Sequence, residues 1–280
     1  MQAGKAMAKP AGEREQNKST GRVLTVLSAF ISQTEDSYGI TELSEKLEMT
    51  KNMVYRAVST LVDQGFLVRG ATGSRYELGF RILELRNSDA HDPDLRDLCA
   101  PSIRAIYELT GETVSLTVRH GDNVVFIDGV ETKKPGTWRN QIGDRRPLHA
   151  VASSRVVLAY LTDDEVNGYI KRHSPMRMPG GEILTAEELW SAVYEIRRLG
   201  YAINRRNVRP RMVSVAFPIR DSRGHVQGAI AVGGPQERFG ERALELLPEL
   251  QNVVAELNNR TQLYPTDFTY FLNDTPGELR

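Results

Sequence analysis

The stretch that most constrains this chain is residues 39–78, GITELSEKLEMTKNMVYRAVSTLVDQGFLVRGATGSRYEL. Thr41 is a candidate N-cap for a first short helix, on which Leu43 and Leu47 share a face at i, i+4. Glu48 and Met49 make a turn, and Thr50 can cap a second helix. Along that helix Val54, Ala57, Val58 and Leu61 recur at i, i+3, i+4, i+7, so one side is apolar. The other side presents Asn52, Tyr55, Arg56 and Ser59, with Lys51 in the first turn. Gly65 stops the helix. Residues 66–69 and 75–78 then read as two strands around the turn-rich Gly70-Ala71-Thr72-Gly73-Ser74. Helix, turn, helix, hairpin is the order of a winged helix-turn-helix.

The physics of that order suits double-stranded DNA. A helix fits the major groove, where base edges are distinguishable, and its first turn offers N–H groups and a positive dipole end to phosphate. Thr50 at the helix start is a candidate DNA contact; Lys51 and Arg56 can reach phosphates or bases, Asn52 and Tyr55 base edges, and Arg69 and Arg75 on the hairpin the backbone or minor groove. The competing reading is a helical hairpin with a solvated polar face. The hairpin directly behind the second helix favours DNA.

Formal net charge over the 280 residues is zero, so no global field draws the chain to nucleic acid. Residues 1–86 carry twelve Lys or Arg against ten Asp or Glu, so affinity for DNA has to come from a local patch. The one cysteine, Cys99, excludes an internal disulfide and suits a reducing cytoplasm. It falls on an amphipathic pattern and reads as a small buried hydrophobe. No apolar run approaches the roughly 20 residues that span a membrane, and no secretory signal is visible. The expected location is the cytoplasm, with no membrane partner.

The composition divides the chain into a polar disordered arm (1–18), a winged helix-turn-helix domain (19–78), a linker helix and hinge (79–93), a larger domain (94–258) and a tail (259–280). Val23, Leu24, Leu27, Ala29 and Phe30 give the first domain its third helix, and Phe80, Ile82, Leu83 and Leu85 give the linker an apolar side. In the larger domain, Val114, Leu116 and Val118 alternate with Thr113, Ser115 and Thr117, and Val213, Val215 and Phe217 alternate further on. Helices are expected at about 94–109, 149–161, 163–172 and 241–258. Another starts at the capping box of Thr185 and Glu188 and ends at Gly200; Thr162 and Glu165 form a similar box. The fold class is an all-α winged helix-turn-helix domain with a hairpin wing, followed by an α+β domain.

Enzymatic readings find little. His149 lies near Asp144 and His120 near Asp122, but neither forms a nucleophile–base–orienter set. No phosphate-cradling Gly loop is present, and Cys99, His120 and His149 lack the close spacing of zinc ligands. No cofactor is expected.

An ordered series of segments resembles the IclR (isocitrate lyase regulator) family of bacterial transcription regulators: TKNMVYRAVSTLVDQGFLVR, YELGFRILEL, TGETVSLTVRHGDNVVFIDGVE, GDRRPLHAVASSRVVLAYL, EIRRLGYAIN and VAFPIRDSRGHVQGAIAVGGP. The resemblance spans about residues 20–257. It implies a GAF-like effector-binding domain behind the DNA-binding one, assembly as a homodimer or homotetramer, and repression controlled by a small organic acid or aromatic metabolite. An activator of a catabolic operon is the alternative. The family's usual Pro-Lys-Ser-Thr-Val-His-Arg is here Thr50-Lys51-Asn52-Met53-Val54-Tyr55-Arg56, so the operator does not carry over. The effector positions implied are Leu148, Ala152, Ser153, Asn204, Arg211, Ser214, Ala231 and Gly233. Ala231 and Gly233 stand where the family can carry serine, and Arg211 where glycine is usual. Residues 205–223 hold Arg205, Arg206, Arg209, Arg211, Arg220 and Arg223, with Arg139, Arg145 and Arg146 on a neighbouring loop. Three readings stay open: an anionic effector held by one or two of these arginines, arginines at the surface or between subunits, and a degenerate pocket.

Overall fold

The computed structural model describes residues 18–30, 37–70, 73–86, 95–136, 141–204 and 212–263. The chain folds as two units, Met1–Ala90 and His91–Arg280.

The first unit runs α1 (Lys18–Ser28), β1 (Tyr38–Gly39), α2 (Ile40–Lys46), α3 (Lys51–Asp63), β2 (Leu67–Arg69), β3 (Arg75–Leu78) and α4 (Arg81–Arg86). Its core joins Val26 and Phe30 to Leu43, to Val54, Val58 and Leu61, and to Leu67. On α1 the inward stripe is Val23, Val26, Leu27 and Phe30, the helical spacing. Leu24 falls off that stripe and is 58 % exposed, contrary to the sequence expectation. Helix α2 begins two residues earlier than a Thr41 cap would set it. Gly39 is the N-cap, and Glu42 Oε2 accepts its N–H at 2.8 Å. Thr50 does cap α3, its Oγ1 accepting from Met53 N. The turn before α3 places Glu48 at φ 52°. The wing has a third strand that the sequence did not announce, with order β1-β3-β2. Gly79 ends the hairpin against α3. Its N–H donates to Phe66 O at 2.8 Å, and a Cβ there would stand 2.2 Å from Gly65 O, so only glycine allows the approach.

The second unit runs α5 (Leu95–Thr110), β4 (Thr113–His120), β5 (Asn123–Val130), β6 (Arg145–Pro147), α6 (Ala152–Ala159), α7 (Asp163–His173), β7 (Met176–Arg177), β8 (Ile183–Leu184), α8 (Ala186–Leu199), β9 (Ala202–Asn204), β10 (Met212–Arg220), β11 (Val226–Pro235), α9 (Gln236–Phe239), α10 (Arg242–Glu245) and α11 (Leu247–Leu263). A six-stranded antiparallel sheet, β6-β5-β4-β11-β10-β9, carries a core on each face. Large side chains of one face, such as Val114, Leu116, Val215 and Ile230, pack with α5 and α11. The other face is built of small residues. Ala216, Ala229 and Ala231 pack with Val156, Val157 and Leu158 of α6 and with Leu189 and Val193 of α8. Two capping boxes hold as expected, Thr162 with Glu165 and Thr185 with Glu188. The helix expected over 149–161 is shorter, because 149–151 form the turn into it. The one expected over 241–258 is broken into α10 and α11, with α9 ahead of it. The fold is thus a winged helix-turn-helix unit and an α+β, GAF-like unit.

Candidate functional site

In the first unit, burying Val54, Ala57, Val58 and Leu61 leaves Lys51, Asn52, Tyr55 and Arg56 exposed on the opposite side of α3. Tyr55 is 52 % exposed. None of these four side chains has a hydrogen bond or ion pair among the described residues. Four polar side chains on one helix face, with no intramolecular use, form a surface able to meet base edges and phosphates. The other three expected DNA contacts have duties within the fold. Thr50 is the cap of α3. Arg69, exposed on β2, lies over the Tyr76 ring at 5.7 Å. Arg75 donates to Ser37 Oγ (2.9 Å), to Ser37 O (2.7 Å) and to Glu42 Oε1 (2.8 Å). Its guanidinium ties the wing to α2; the Gly39 N–H first, and then the Arg75 guanidinium, lower the Glu42 pKa.

In the second unit a cavity opens between α6 and the small-residue face of the sheet. Its wall is Thr113, Ser115, Phe126, Val151, Ala152, Ser153, Ser214, Ala231, Val232 and Gly233. The register explains the grouping. Ser214 pairs with Gly233 and Gly233 with Thr113, while Ala216 pairs with Ala231 and Ala231 with Ser115. These two rows form the floor. Five residues implied by the family resemblance are therefore together: Ala152, Ser153, Ser214, Ala231 and Gly233. Leu148 lies in the core beside α6 instead, and Asn204 sits next to Ser214 on β9, away from the wall. Arg211 falls outside the described residues, as do Arg139, Arg205, Arg206 and Arg209. Among the described arginines none lines the cavity; Arg146 pairs with Asp144 at 3.1 Å and lies over the Phe126 ring. Thr113, Ser115, Phe126, Val151 and Val232 were missed as site residues. The signal was in the β4 alternation, where a Thr/Ser face that is buried needs something polar to meet.

The polar groups of the cavity are neutral. Helix α6 has Val151 as its N-cap with no side-chain cap bond, and its first N–H groups lack intrahelical acceptors by geometry. Ser115 is 6 % and Ser153 3 % exposed, and neither hydroxyl has a partner among the described residues. Thr113 Oγ1 accepts from Thr132 N at 3.2 Å, which leaves its own proton to donate. Hydroxyls at a helix N-terminus suit a carboxylate. Phe126, Val151 and Val232 supply apolar walls for the rest of an acid. The cavity is narrow, with a volume of about 20 Å³. Anything larger than one or two waters has to part α6 from the sheet.

Among the described residues no group of three His, Cys, Asp or Glu side chains could hold a metal, and no helix is long and apolar enough to cross a membrane.

Comparison with known proteins gives matches along most of the chain. Residues 19–71 match the IclR helix-turn-helix domain, and 88–259 match the bacterial transcriptional regulator IclR C-terminal domain. The HTH-type transcriptional regulator KipR of Bacillus subtilis is 28 % identical over 236 residues, covering 84 % of this chain and 93 % of its own. The HTH-type transcriptional regulator KdgR of Escherichia coli K12 is 27 % identical over 224 residues, 80 % of this chain and 84 % of its own. An IclR homolog from Microbacterium hydrocarbonoxydans, solved in complex with 4-hydroxybenzoate, superposes with a TM-score of 0.75 at 22 % identity, covering 86 % of this chain and 99 % of its own. At that identity the match speaks for the fold.

Proposed function

Since this chain belongs to the IclR family of bacterial transcriptional regulators, we propose that α3 reads an operator while an organic acid at the start of α6 controls its affinity. It is a DNA-binding regulator, as its relatives are, and not an enzyme. The observation that carries the DNA reading is the α3 face, four exposed polar side chains with no partner among the described residues. Footprinting on the promoter beside its own gene tests it, and transcription from that promoter in vitro distinguishes repression, which we propose, from activation.

The proposed effector is an anionic acid with a small apolar or aromatic body. The Ser115 and Ser153 hydroxyls near the start of α6, without a partner among the described residues, support this. The 4-hydroxybenzoate held by the Microbacterium relative is an acid of this class and the first probe to try. Opening the narrow cavity is the differential work that would shift the protein between states of different operator affinity, with a coupling of about 1–3 kcal/mol. In a thermal-shift panel of organic and aromatic acids, an effector at 100 times its Kd is expected to add about 2.7 kcal/mol of stability. Ser115→Ala with Ser153→Ala is expected to weaken that acid about tenfold, the loss of two modest hydrogen bonds. Titration of Arg211→Ala decides whether that arginine adds to the site. A panel in which no acid shifts the melting point would point to a degenerate pocket.

Assembly is the third part of the proposal. One winged unit offers a single half-site, so a symmetric pair is expected to read a pseudo-palindrome with half-sites about 34 Å apart or a multiple of that. Phe80 and Leu85 at α4 are exposed apolar side chains, and burial against a second copy would remove them from water. Phe80→Asp with Leu85→Asp is expected to shift sedimentation toward monomer. A double variant that sediments as wild type would place the interface elsewhere.

A further inference from the structure

Behind the start of α6 lies a buried chain of polar groups. Tyr169 on α7 is fully buried, and His149, in the turn before α6, is 4 % exposed. The Tyr169 hydroxyl accepts the backbone N–H of His149 at 3.3 Å and lies 2.6 Å from His149 Nδ1. His149 Nε2 is 3.1 Å from the Arg177 carbonyl oxygen. A carbonyl only accepts, so Nε2 carries the proton, Nδ1 is the lone pair, and the phenol donates to it. One neutral tautomer satisfies all three groups. Arg155 on α6 adds a bond from its Nε to His149 O at 2.8 Å. On its other side the Tyr169 ring stacks on His173, whose Nε2 is 2.8 Å from Asp122 Oδ2; Arg172 grips the same carboxylate through two bonds. The next three residues after this clamp and Ala150 are Val151, Ala152 and Ser153, which line the cavity.

We propose that Tyr169 and His149 are positioning residues of the effector cavity: their hydrogen bond holds the turn at 148–151, and with it the first turn of α6, and protonation of His149 releases that hold. The inference rests on the effector reading above. A protonated imidazole would turn Nδ1 into a donor aimed at a hydroxyl that already accepts a backbone N–H, and would leave the phenol proton without its acceptor. The groups facing His149 also oppose a charge there. Arg155 comes from α6, Tyr169 and His173 from α7, and only the Arg177 carbonyl from β7 favours it; Asp122 is on the far side of His173, already engaged by Arg172. Burial, first, and the charges of His173 and Arg155 push the His149 pKa below its ordinary 6.5. The sign follows. A depressed histidine pKa means the unfolded turn takes up the proton more readily, so the hold is complete above about pH 6.5 and weakens as pH falls below it.

Hydrogen exchange on the full chain without ligand, from pH 8 to 5, tests this. Protection of the amides at 148–154, taken relative to those of β10 and β11, is expected to fall about tenfold over the acidic half of that range in the wild type. In His149→Gln the ratio is expected to stay flat with pH, and in Tyr169→Phe to be low throughout. A flat wild-type ratio overturns the proposal, and if Tyr169→Phe fails to fold, the wild type and His149→Gln decide it alone. Calorimetric titration with 4-hydroxybenzoate at both ends of the range is the second arm. Affinity that weakens with protection supports the link to the cavity, and affinity that ignores it overturns that link. Absence of any binding counts against the effector reading for this acid, while the exchange arm still decides the clamp.

Discussion

Lys51→Ala combined with Arg56→Ala is expected to weaken operator binding by on the order of 100-fold or more while leaving the fold intact. Each side chain is exposed on α3 and makes no hydrogen bond or ion pair among the described residues, so its removal leaves no buried group unpaired. Exposed substitutions of that kind stay within about 0.5 kcal/mol of wild-type stability. On DNA each is expected to contribute a phosphate or base contact worth about 1–3 kcal/mol. Formal net charge is zero, so no surplus of charge elsewhere compensates for two lost cations. Fluorescence anisotropy across a salt series reads both quantities, with the slope of log affinity against log salt expected to fall by about 2. Asn52→Ala, by contrast, is expected to relax base preference with little change in that slope. A double alanine variant with wild-type affinity would show that α3 is not the reader.

The largest effect on stability is expected from Arg238→Ala. Glu112 is 1 % exposed at the end of α5, and its carboxylate receives Arg238 Nε and, at 2.8 Å, Arg238 Nη2. Lys134 stands farther off at 3.7 Å. Arg238 also donates to Pro135 O, so one guanidinium ties α9 to the entrance of β4 and to the loop after β5. Its removal leaves a buried carboxylate with one distant cation, which costs about 3 kcal/mol or more. The effect reaches the cavity, because Glu112 precedes Thr113 and a Cβ at Gly234 would press on the Glu112 carboxylate. Chemical denaturation followed by the fluorescence of Trp138 and Trp190 reads the loss. Arg238→Lys is expected to recover only part of it, since a single ammonium cannot match two parallel bonds. An Arg238→Ala protein within 0.5 kcal/mol of wild type, on the order of an ordinary surface change, would mean water replaces the guanidinium.

The winged unit was legible because its signals are local. The α3 stripe, the Thr50 cap and the Gly65 stop lie within a few residues of one another, and a periodicity of 3.6 decides which side faces the core. The same holds for the capping boxes at Thr162 and Thr185 and for the alternation along β4. The family resemblance added five of the residues that line the cavity, through segments in a shared order. Some boundaries and faces were read less well even though their causes are local. Glu42 moved the start of α2 to Gly39, and Leu24 looked apolar enough for the core but lies off the stripe.

What only the tertiary structure decided is which polar groups find one another. Arg75 looked like a wing contact for DNA, yet Ser37 and Glu42 hold it within the fold, and Glu42 is 33 residues away. Thr113 and Ser115 alternate with the apolar residues of β4, but only the cover of α6 makes that face a cavity wall, and their pairings with Gly233 and Ala231 join residues more than about a hundred positions apart. The same is true of Glu112 with Arg238, 126 positions apart, and of His149 with Tyr169. Backbone periodicity is written in neighbours along the chain. Burial of a charge or a hydroxyl is settled by whatever the fold brings against it, because a polar group taken out of water is stable only where a partner is waiting.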